Sequence, residues 1–288
     1  QCGHVLMCPN CETTLSYHKA DQSFRCHTCD HVSFRQDCPE CGNRVLEMKG
    51  FGTQRLEEIV AKHLPTARLL RMDRDTTTRK NSHQKLLSDF NNHEADILIG
   101  TQMIAKGLDN PLVTCVGIIS PDAALLHEDF SSAERVFSLI LQASGRAGRH
   151  DLAGHVYIQT FNPDHYAIQY ALRQDYKRFF MREMQYRHMG SYPPYSYLIE
   201  LVFLHKSEAV LDEVVFGYQR ELVKHKEFTT LGPAVLRMQR NLLRRRLILK
   251  GKDLDFMRET LYDLHAVLFK QLKGVRVSIN VNPVSISS

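Results

Sequence analysis

The sequence predicts an α/β protein organised around a parallel sheet, with a metal-held subdomain in front of it and a smaller α+β domain behind. Three observations predict this. Between Lys49 and Pro163 short apolar runs alternate with helical patterns, as parallel strands covered on both faces by helices require. Seven cysteines fall within the first 41 residues. Residues 196–288 read strand, helix, strand, strand, helix, strand.

Composition fits that frame. With 288 residues the chain is long enough for two or three domains with buried cores. A hydrophobic share of 43% beside 24% charged residues is ordinary for a globular protein. No apolar run approaches the ~20 residues that cross a bilayer, and no secretory leader is seen, so a membrane partner is not expected and a cytoplasmic location is. The net charge of +5 tilts mildly towards polyanionic partners.

Residues 1–48 form the first expected unit. Cys8/Cys11, Cys26/Cys29 and Cys38/Cys41 are C-x-x-C pairs, and Cys2 stands ahead of them. The tight C-x-x-C turn offers two thiolates to one tetrahedral ion, and two such turns close a site. Pro9, Pro39 and Gly42 sit where such knuckles turn. This spacing favours zinc over a disulfide framework or a redox pair. Four thiolates leave no position for water, so zinc here is expected to organise the fold and not to do chemistry. His4, His27 and His31 lie near but read as surface residues. Lys19, Arg25, Arg35 and Arg44 read equally as nucleic-acid contacts or as a solvated face.

Residues 49–163 form the second unit. Gly50-Phe51-Gly52-Thr53 is a turn, with Thr53 expected to cap a helix. Leu56, Ile59, Val60 and Leu64 follow at helical spacing, and Pro65 ends the helix. A strand is expected over Ala67–Met72 and a helix over His83–Asn91 with Leu86, Leu87 and Phe90 inward. The strand Ile97–Ile99 empties into Gly100-Thr101-Gln102 and the loop Ala105-Lys106-Gly107. The strand Val113–Ile119, the helix Ala133–Ala143 with Val136, Leu139, Ile140 and Ala143 on one face, and the strand Val156–Thr160 complete it. Function in such sheets collects at the carboxyl ends of strands, here after Gly100 and before Pro121. The helix 133–143 runs into Gln142, Gly145, Arg146, Gly148 and Arg149. Two arginines three apart among small residues suit close approach to an anion, because the guanidinium keeps its charge and offers a planar fork to phosphate oxygens.

Residues 164–195 are expected to be a helical linker, with Ile168, Leu172, Tyr176, Phe179 and Phe180 buried. Tyr192-Pro193-Pro194-Tyr195 breaks the pattern. In residues 196–288 the strands are Tyr197–Leu204, Phe228–Leu236, Leu243–Leu249 and Val275–Val281, with helices Glu208–Lys224 and Asp253–Leu272. This βαββαβ order is the ferredoxin-like arrangement, which by itself says nothing of function. Its unusual feature is the basic run from Arg237 through Arg240 to Arg244, Arg245 and Arg246, continuing to Lys250 and Lys252. Such a hairpin suits phosphates or an acidic peptide, or serves only solubility.

Two stretches carry a resemblance. Gln142-x-x-Gly145-Arg146-Ala147-Gly148-Arg149 resembles motif VI of superfamily 2 helicases. Thr101-Gln102-Met103-Ile104-Ala105-Lys106-Gly107, running on to Leu108-Asp109, resembles their motif V. From the cysteines to Asn282-Pro283, the chain is similar to the C-terminal half of the PriA family of primosomal replication-restart helicases. The resemblance implies a RecA-like helicase lobe 2 with an inserted cysteine-rich zinc-binding subdomain. It implies that Arg146 and Arg149 reach the γ-phosphate of ATP as arginine fingers. Gln142, Gly107 and Asp109 then lie on the nucleotide side. Thr101, Gln102 and Lys106 lie on the DNA-backbone side. Zinc pairing is implied to be interleaved. Cys8, Cys11, Cys26 and Cys29 form one site, and Cys2, Cys38 and Cys41 form a second that lacks one cysteine. Family members carry a cysteine three residues before Cys2, so the start is expected to cut a knuckle.

The implied activity is ATP-dependent 3′-to-5′ DNA unwinding by a bacterial cytoplasmic enzyme that recognises stalled forks and reloads the replisome. Forked or branched and single-stranded DNA, single-stranded DNA-binding protein, other primosome proteins and the N-terminal half of the same helicase are the implied partners. Arg244, Arg245 and Arg246 are candidates for DNA or for the acidic tail of single-stranded DNA-binding protein. The sequence has no G-x-x-x-x-G-K-[ST] loop and no acidic magnesium motif. ATP and Mg2+ are therefore expected to bind only in the full-length protein, and this chain alone is expected to be inactive as an ATPase. The rival reading is a non-enzymatic zinc-ribbon nucleic-acid-binding scaffold with a degenerate helicase lobe.

Overall fold

The computed structural model describes residues 6, 8–9, 15–18, 22–26, 31–34, 37–42, 52–73, 76–77, 82–105, 108–125, 129–148, 153–268 and 272–286. The chain divides into two compact units, Lys49–Glu183 and Gln1–Met48 with Met184–Ser288.

In the cysteine-rich head, β1 (Ser16–His18), β2 (Ser23–Arg25) and β3 (Val32–Ser33) form a small antiparallel sheet in sequence order. Tyr17 faces Phe24 across the first pair. The Cys26 amide donates to the His31 carbonyl at 2.9 Å and the Gly42 amide to Cys38 at 2.9 Å, so both chain reversals are closed by backbone bonds. Gly42 has φ +67°, the left-handed conformation that glycine adopts without steric cost.

The Lys49–Glu183 unit runs α1 (Thr53–His63), β4 (Leu69–Met72), α2 (Ser82–Asn91), β5 (Ile97–Gly100), α3 (Gln102–Ala105), β6 (Cys115–Ile119), α4 (Asp122–Leu125), α5 (Ser132–Ser144), β7 (His155–Gln159) and α6 (Tyr166–Leu172). α7 (Tyr176–Met189) begins in this unit. Pairing is parallel, as expected, but among the described residues it forms two separate two-stranded sheets and not one: β4 with β5 from Leu69↔Ile97 to Met72↔Gly100, and β6 with β7 from Cys115↔His155 to Ile119↔Gln159. Val136, Phe137, Ile140 and Ala143 of α5 pack with Ile118, Ala167, Ile168, Ala171 and Phe179 into its core. Among the described residues one face of the β6–β7 pair is covered, while Ile119 and Tyr157 on the other face are 40% and 64% exposed.

Several inward assignments need correction. In α5, Phe137 is buried and Leu139 is only half-buried, because the Phe137 ring stacks on Phe179 with centroids 4.0 Å apart and turns the helix towards it. Ile168 and Phe179 are buried as expected, but Leu172, Tyr176 and Phe180 are exposed. α7 meets its unit along a narrow seam of Phe179 and Glu183, whose carboxylate accepts from the Tyr166 hydroxyl at 2.6 Å. Leu64 is half exposed beyond the end of α1. Thr53 does not cap α1. Its hydroxyl donates to Asp73 at 2.6 Å instead.

β8 (Tyr197–His205), α8 (Glu208–Leu222), β9 (Phe228–Gln239), β10 (Leu242–Gly251), α9 (Leu254–Leu268) and β11 (Arg276–Val281) follow. The sheet order is β11-β8-β10-β9 with every neighbour antiparallel. Strand alternation sends Ile199, Leu201 and Phe203 with Leu247 and Leu249 to one face. There they meet Leu211, Val215, Tyr218 and Leu222 of α8 and Met257 and Leu261 of α9. β9 and β10 reach further than their apolar runs. Their two-residue turn, Arg240-Asn241, has both residues at positive φ (51° and 59°), a geometry that matches strand twist and lets pairing continue to the tip.

The same alternation splits the three arginines. Arg245 turns to the helix face, is 6% exposed, and donates to Asp212 at 2.8 Å and Glu208 at 2.6 Å. Arg244 and Arg246 turn to the opposite face, where Arg246 Nη1 donates to the Ile286 carbonyl and lies 3.7 Å from Glu200. Burial lowers the pKa of Arg244, and Arg246 beside it acts the same way against Glu200. Arg245→Ala is expected to cost on the order of 1–2 kcal/mol in urea unfolding. That is less than the ~3–5 kcal/mol of an enclosed pair, because Glu208 is 67% exposed and water takes over its charge.

Candidate active site

The site lies where β5, α3 and the end of α5 converge. β5 ends at Gly100, where close approach demands glycine: a Cβ would stand 2.3 Å from the Met72 carbonyl of the neighbouring strand. Thr101 and Gln102 follow and are exposed, with the Ile104 amide donating to the Thr101 carbonyl at 3.1 Å. α3 packs against α5. Lys106 and Gly107 lie outside the described residues. The chain re-enters at Leu108, which is buried, and Asp109, which is exposed. Asn110, only 6% exposed, folds the next turn by accepting from the Leu112 amide at 2.9 Å.

α5 delivers the other half. Gln142 is exposed near its end, and Gly145 closes it by donating to the Leu141 carbonyl at 3.0 Å. Arg146 Nη1 then donates to the Leu108 carbonyl at 2.6 Å. This bond joins two segments 38 residues apart in sequence. The Gly148 amide donates to the Val113 carbonyl at 3.0 Å with Gly148 at φ +68°, tying the turn to the segment just before β6, which starts at Cys115 and not at the expected Val113. Gly154 crosses beneath so closely that a Cβ would meet the Gly148 nitrogen at 2.3 Å. Gly154→Ala therefore displaces the Arg146 turn, and a fall in ATP turnover by the intact protein with little change in the unfolding of residues 196–288 is the expected readout. Arg149 lies outside the described residues.

A second cluster at the carboxyl end of β4 went unseen in the sequence. The Asp73 carboxylate accepts from the Thr53 hydroxyl at 2.6 Å and the Thr76 amide at 3.0 Å, and Arg71 Nε lies 3.0 Å from it. Burial alone would raise the Asp73 pKa, but those hydrogen bonds and the Arg71 charge together hold it below the ordinary carboxylate value. Arg71 also reaches Glu57 of α1 at 3.0 Å. The signal was an aspartate placed directly after a strand, where ligand-facing residues of parallel sheets collect.

At the opposite end of the β4–β5 pair, Arg68 grips Asp96 through Nη2 at 2.7 Å and Nε at 3.1 Å. The Arg68 side chain, and then its amide, pull the Asp96 pKa down to about 2. A depressed carboxylate pKa stabilises the fold above the unfolded value of about 4 and is lost as pH falls through the folded one. Asp96→Asn is thus expected to flatten the acid limb of a stability–pH profile between about pH 4 and about 2, read by circular dichroism.

In the head, Cys8 and Cys26 are each 1% exposed and cluster with Leu15. Cys38 is buried and Cys41 exposed, on the turn that Gly42 closes. Cys2, Cys11 and Cys29 lie outside the described residues, as do Lys19, Arg35 and Arg44. Arg25 is partly occupied by the Ser23 hydroxyl at 3.1 Å. Two thiols from separate knuckles buried in one cluster fit a thiolate-held metal.

Comparison with known proteins gives this geometry a family. Residues 48–151 match the helicase conserved C-terminal domain, and residues 8–33 match the PriA DNA helicase Cys-rich region domain. The chain is 51% identical over 209 residues to the replication restart protein PriA of Bacillus subtilis, which covers 72% of this chain and 26% of that protein. It is 39% identical over 294 residues to PriA of Synechocystis, covering 99% of this chain and 35% of that protein. PriA of Thermotoga maritima is 34% identical over 286 residues, with 98% and 37% covered. The chain thus spans from about a quarter to somewhat more than a third of the length of these relatives. No described helix is long and apolar enough to cross a membrane. The chain belongs to the PriA family of replication restart helicases and matches its C-terminal region.

Proposed function

We propose that the chain supplies the second motor lobe, the zinc-held head and a binding domain to an ATP-dependent 3′-to-5′ DNA helicase that recognises stalled forks and restarts replication by primosome assembly. The observation that carries this reading is the Arg146–Leu108 bond, which links the Gln142–Arg149 and Thr101–Asp109 segments. A degenerate lobe has no reason to retain that link beside the full Gln142-x-x-Gly145-Arg146-Ala147-Gly148-Arg149 sequence. Arg146 and Arg149 are the proposed fingers on ATP and Mg2+ held by another part of the whole protein. Gln142, Gly107 and Asp109 face the nucleotide, and Thr101, Gln102 and Lys106 face the DNA backbone.

Zinc is proposed at Cys8, Cys11, Cys26 and Cys29, and at Cys2, Cys38 and Cys41. The parts are 1–48, 49–163, 164–195 and 196–288. The last is proposed to be ferredoxin-like, a reading supported by the order β11-β8-β10-β9. Its DNA- or acidic-tail-binding role is proposed for Arg244 and Arg246 on one face, with Arg245 held by Glu208 and Asp212 as a strut. Single-stranded DNA-binding protein and other primosome proteins are the proposed partners. The test is unwinding by the intact protein. A duplex with a 3′ single-stranded arm is expected to be separated in the presence of ATP and Mg2+ and one with only a 5′ arm is not. Failure on both would favour the scaffold reading.

A further inference from the structure

Between α8 and α9, on the side away from the sheet, lies a groove of about 740 Å3. Its floor is Gly217, and Phe256, Leu264 and Leu268 form half-buried apolar walls. Val267 stands at its lip, 69% exposed.

Gly217 is the informative residue. It is the tenth of fifteen residues in a helix, where glycine is less favourable than alanine by about 1 kcal/mol. A glycine is usually kept in a helix because a neighbour leaves no room for a Cβ. Here a Cβ at 217 would meet nothing within 4 Å. Nothing described in this chain calls for the missing methyl group, and the space above it is the groove itself. A glycine on the floor of an apolar groove admits close approach of another backbone, as small residues do where helices cross.

The rims are charged by side. Glu259 and Asp263, one turn apart on α9, are both exposed and make one wall acidic. On α8, Arg220 is exposed and makes the facing wall basic. Glu221 beside it is engaged by Lys224 at 2.6 Å. His225 closes one end, its ring stacked on Phe228 at 5.6 Å and edge-on to Phe256 at 5.9 Å.

We propose that this groove docks an amphipathic helix of a protein partner. The partner lays an apolar stripe over Gly217, Leu264 and Leu268, with lysine or arginine along the flank facing Glu259 and Asp263 and an acidic residue on the flank facing Arg220. None of its residues is among the nucleotide and DNA contacts proposed above, and the inference does not depend on them.

A synthetic eighteen-residue helical peptide is the probe. It carries leucines at i, i+3, i+4 and i+7, lysines on one flank and glutamates on the other. Binding to the purified chain is read by fluorescence anisotropy and by amide shifts in a two-dimensional NMR spectrum. The expected result is saturable binding with shifts at Gly217, Thr260 and Leu264, and at least tenfold weakening when the two charged flanks are exchanged. Gly217→Leu fills the floor and is expected to abolish binding. Gly217→Ala, whose methyl meets nothing in the free protein, is expected to keep or raise the melting temperature while weakening the peptide. Equal affinity for both flank patterns, no shifts in α8 and α9, or unaltered binding by a folded Gly217→Leu chain each overturn the proposal. Occupation of the groove by an extended acidic peptide in preference to the helical probe overturns it as well.

Discussion

Replacing Arg149, the proposed finger, by alanine in the intact protein is expected to lower DNA-dependent ATP turnover by about 10³-fold or more, with oligonucleotide affinity largely kept. A phosphoryl transition state spreads charge over the equatorial oxygens, and a fixed guanidinium stabilises that charge far more than it stabilises bound ATP. The loss therefore appears in kcat more than in KM. Arg149→Lys does not restore it, because an ammonium lacks the planar fork. Arg146→Ala is expected to behave differently. Arg146 already donates to the Leu108 carbonyl, so its loss frees the 101–109 segment as well as removing a cation. Weakened DNA binding accompanies its loss of turnover, whereas Arg149→Ala leaves binding alone. Steady-state ATP hydrolysis and anisotropy titrations of a fluorescent oligonucleotide separate the two variants. Identical profiles would show that the bond to Leu108 carries no coupling.

Stripping the metal has the second large effect. Structural zinc contributes roughly 10–16 kcal/mol of apparent binding energy near neutral pH, most of it folding energy. Among the described residues of the head, the buried cluster is Cys8 and Cys26 with Leu15 against them, which offers little to replace it. A strong chelator, or Cys8→Ser with Cys26→Ser, is expected to unfold the head while the unfolding transition of residues 196–288 persists. That later transition rests on Ile199, Leu201, Phe203, Leu247 and Leu249 packed against α8 and α9, a core built of apolar side chains. Because the proposed ligands are thiolates, the metal is expected to leave more readily as pH falls. Metal analysis beside circular dichroism reads both. A head that stays folded after complete zinc removal would remove the structural role.

Much of the fold was legible because periodicity alone dictates it. The strand Ile97–Gly100, the helix Ser132–Ser144 and the back-domain order from Tyr197 to Val281 all follow from apolar spacing. What was not legible depends on tertiary partners. Phe137 replaces Leu139 because Phe179, brought back by α6 and α7, offers its ring. Thr53 looks like a cap until the fold brings Asp73, 20 residues on, within hydrogen-bonding reach. Tyr176 and Phe180 have helical spacing, yet α7 touches its unit along one seam only, and Leu172 lies exposed at the last position of α6. The site was legible as a list and not as a geometry. Arg146 could be named from its motif, but its acceptor is a backbone carbonyl, and a carbonyl leaves no trace in sequence. Arg244, Arg245 and Arg246 read as one basic run, and strand alternation alone separates the strut from the other two.

One measurement bears most directly on the division of labour proposed here, in which this chain brings arginine fingers to a phosphate pocket it does not itself contain. It is magnesium-dependent phosphate release from ATP by the purified chain, with and without single-stranded DNA. Release no faster than the protein-free blank, unchanged by Arg149→Ala, is the expected result. Robust turnover that DNA stimulates and Arg149→Ala abolishes would mean that the chain holds a complete nucleotide site, and would contradict it.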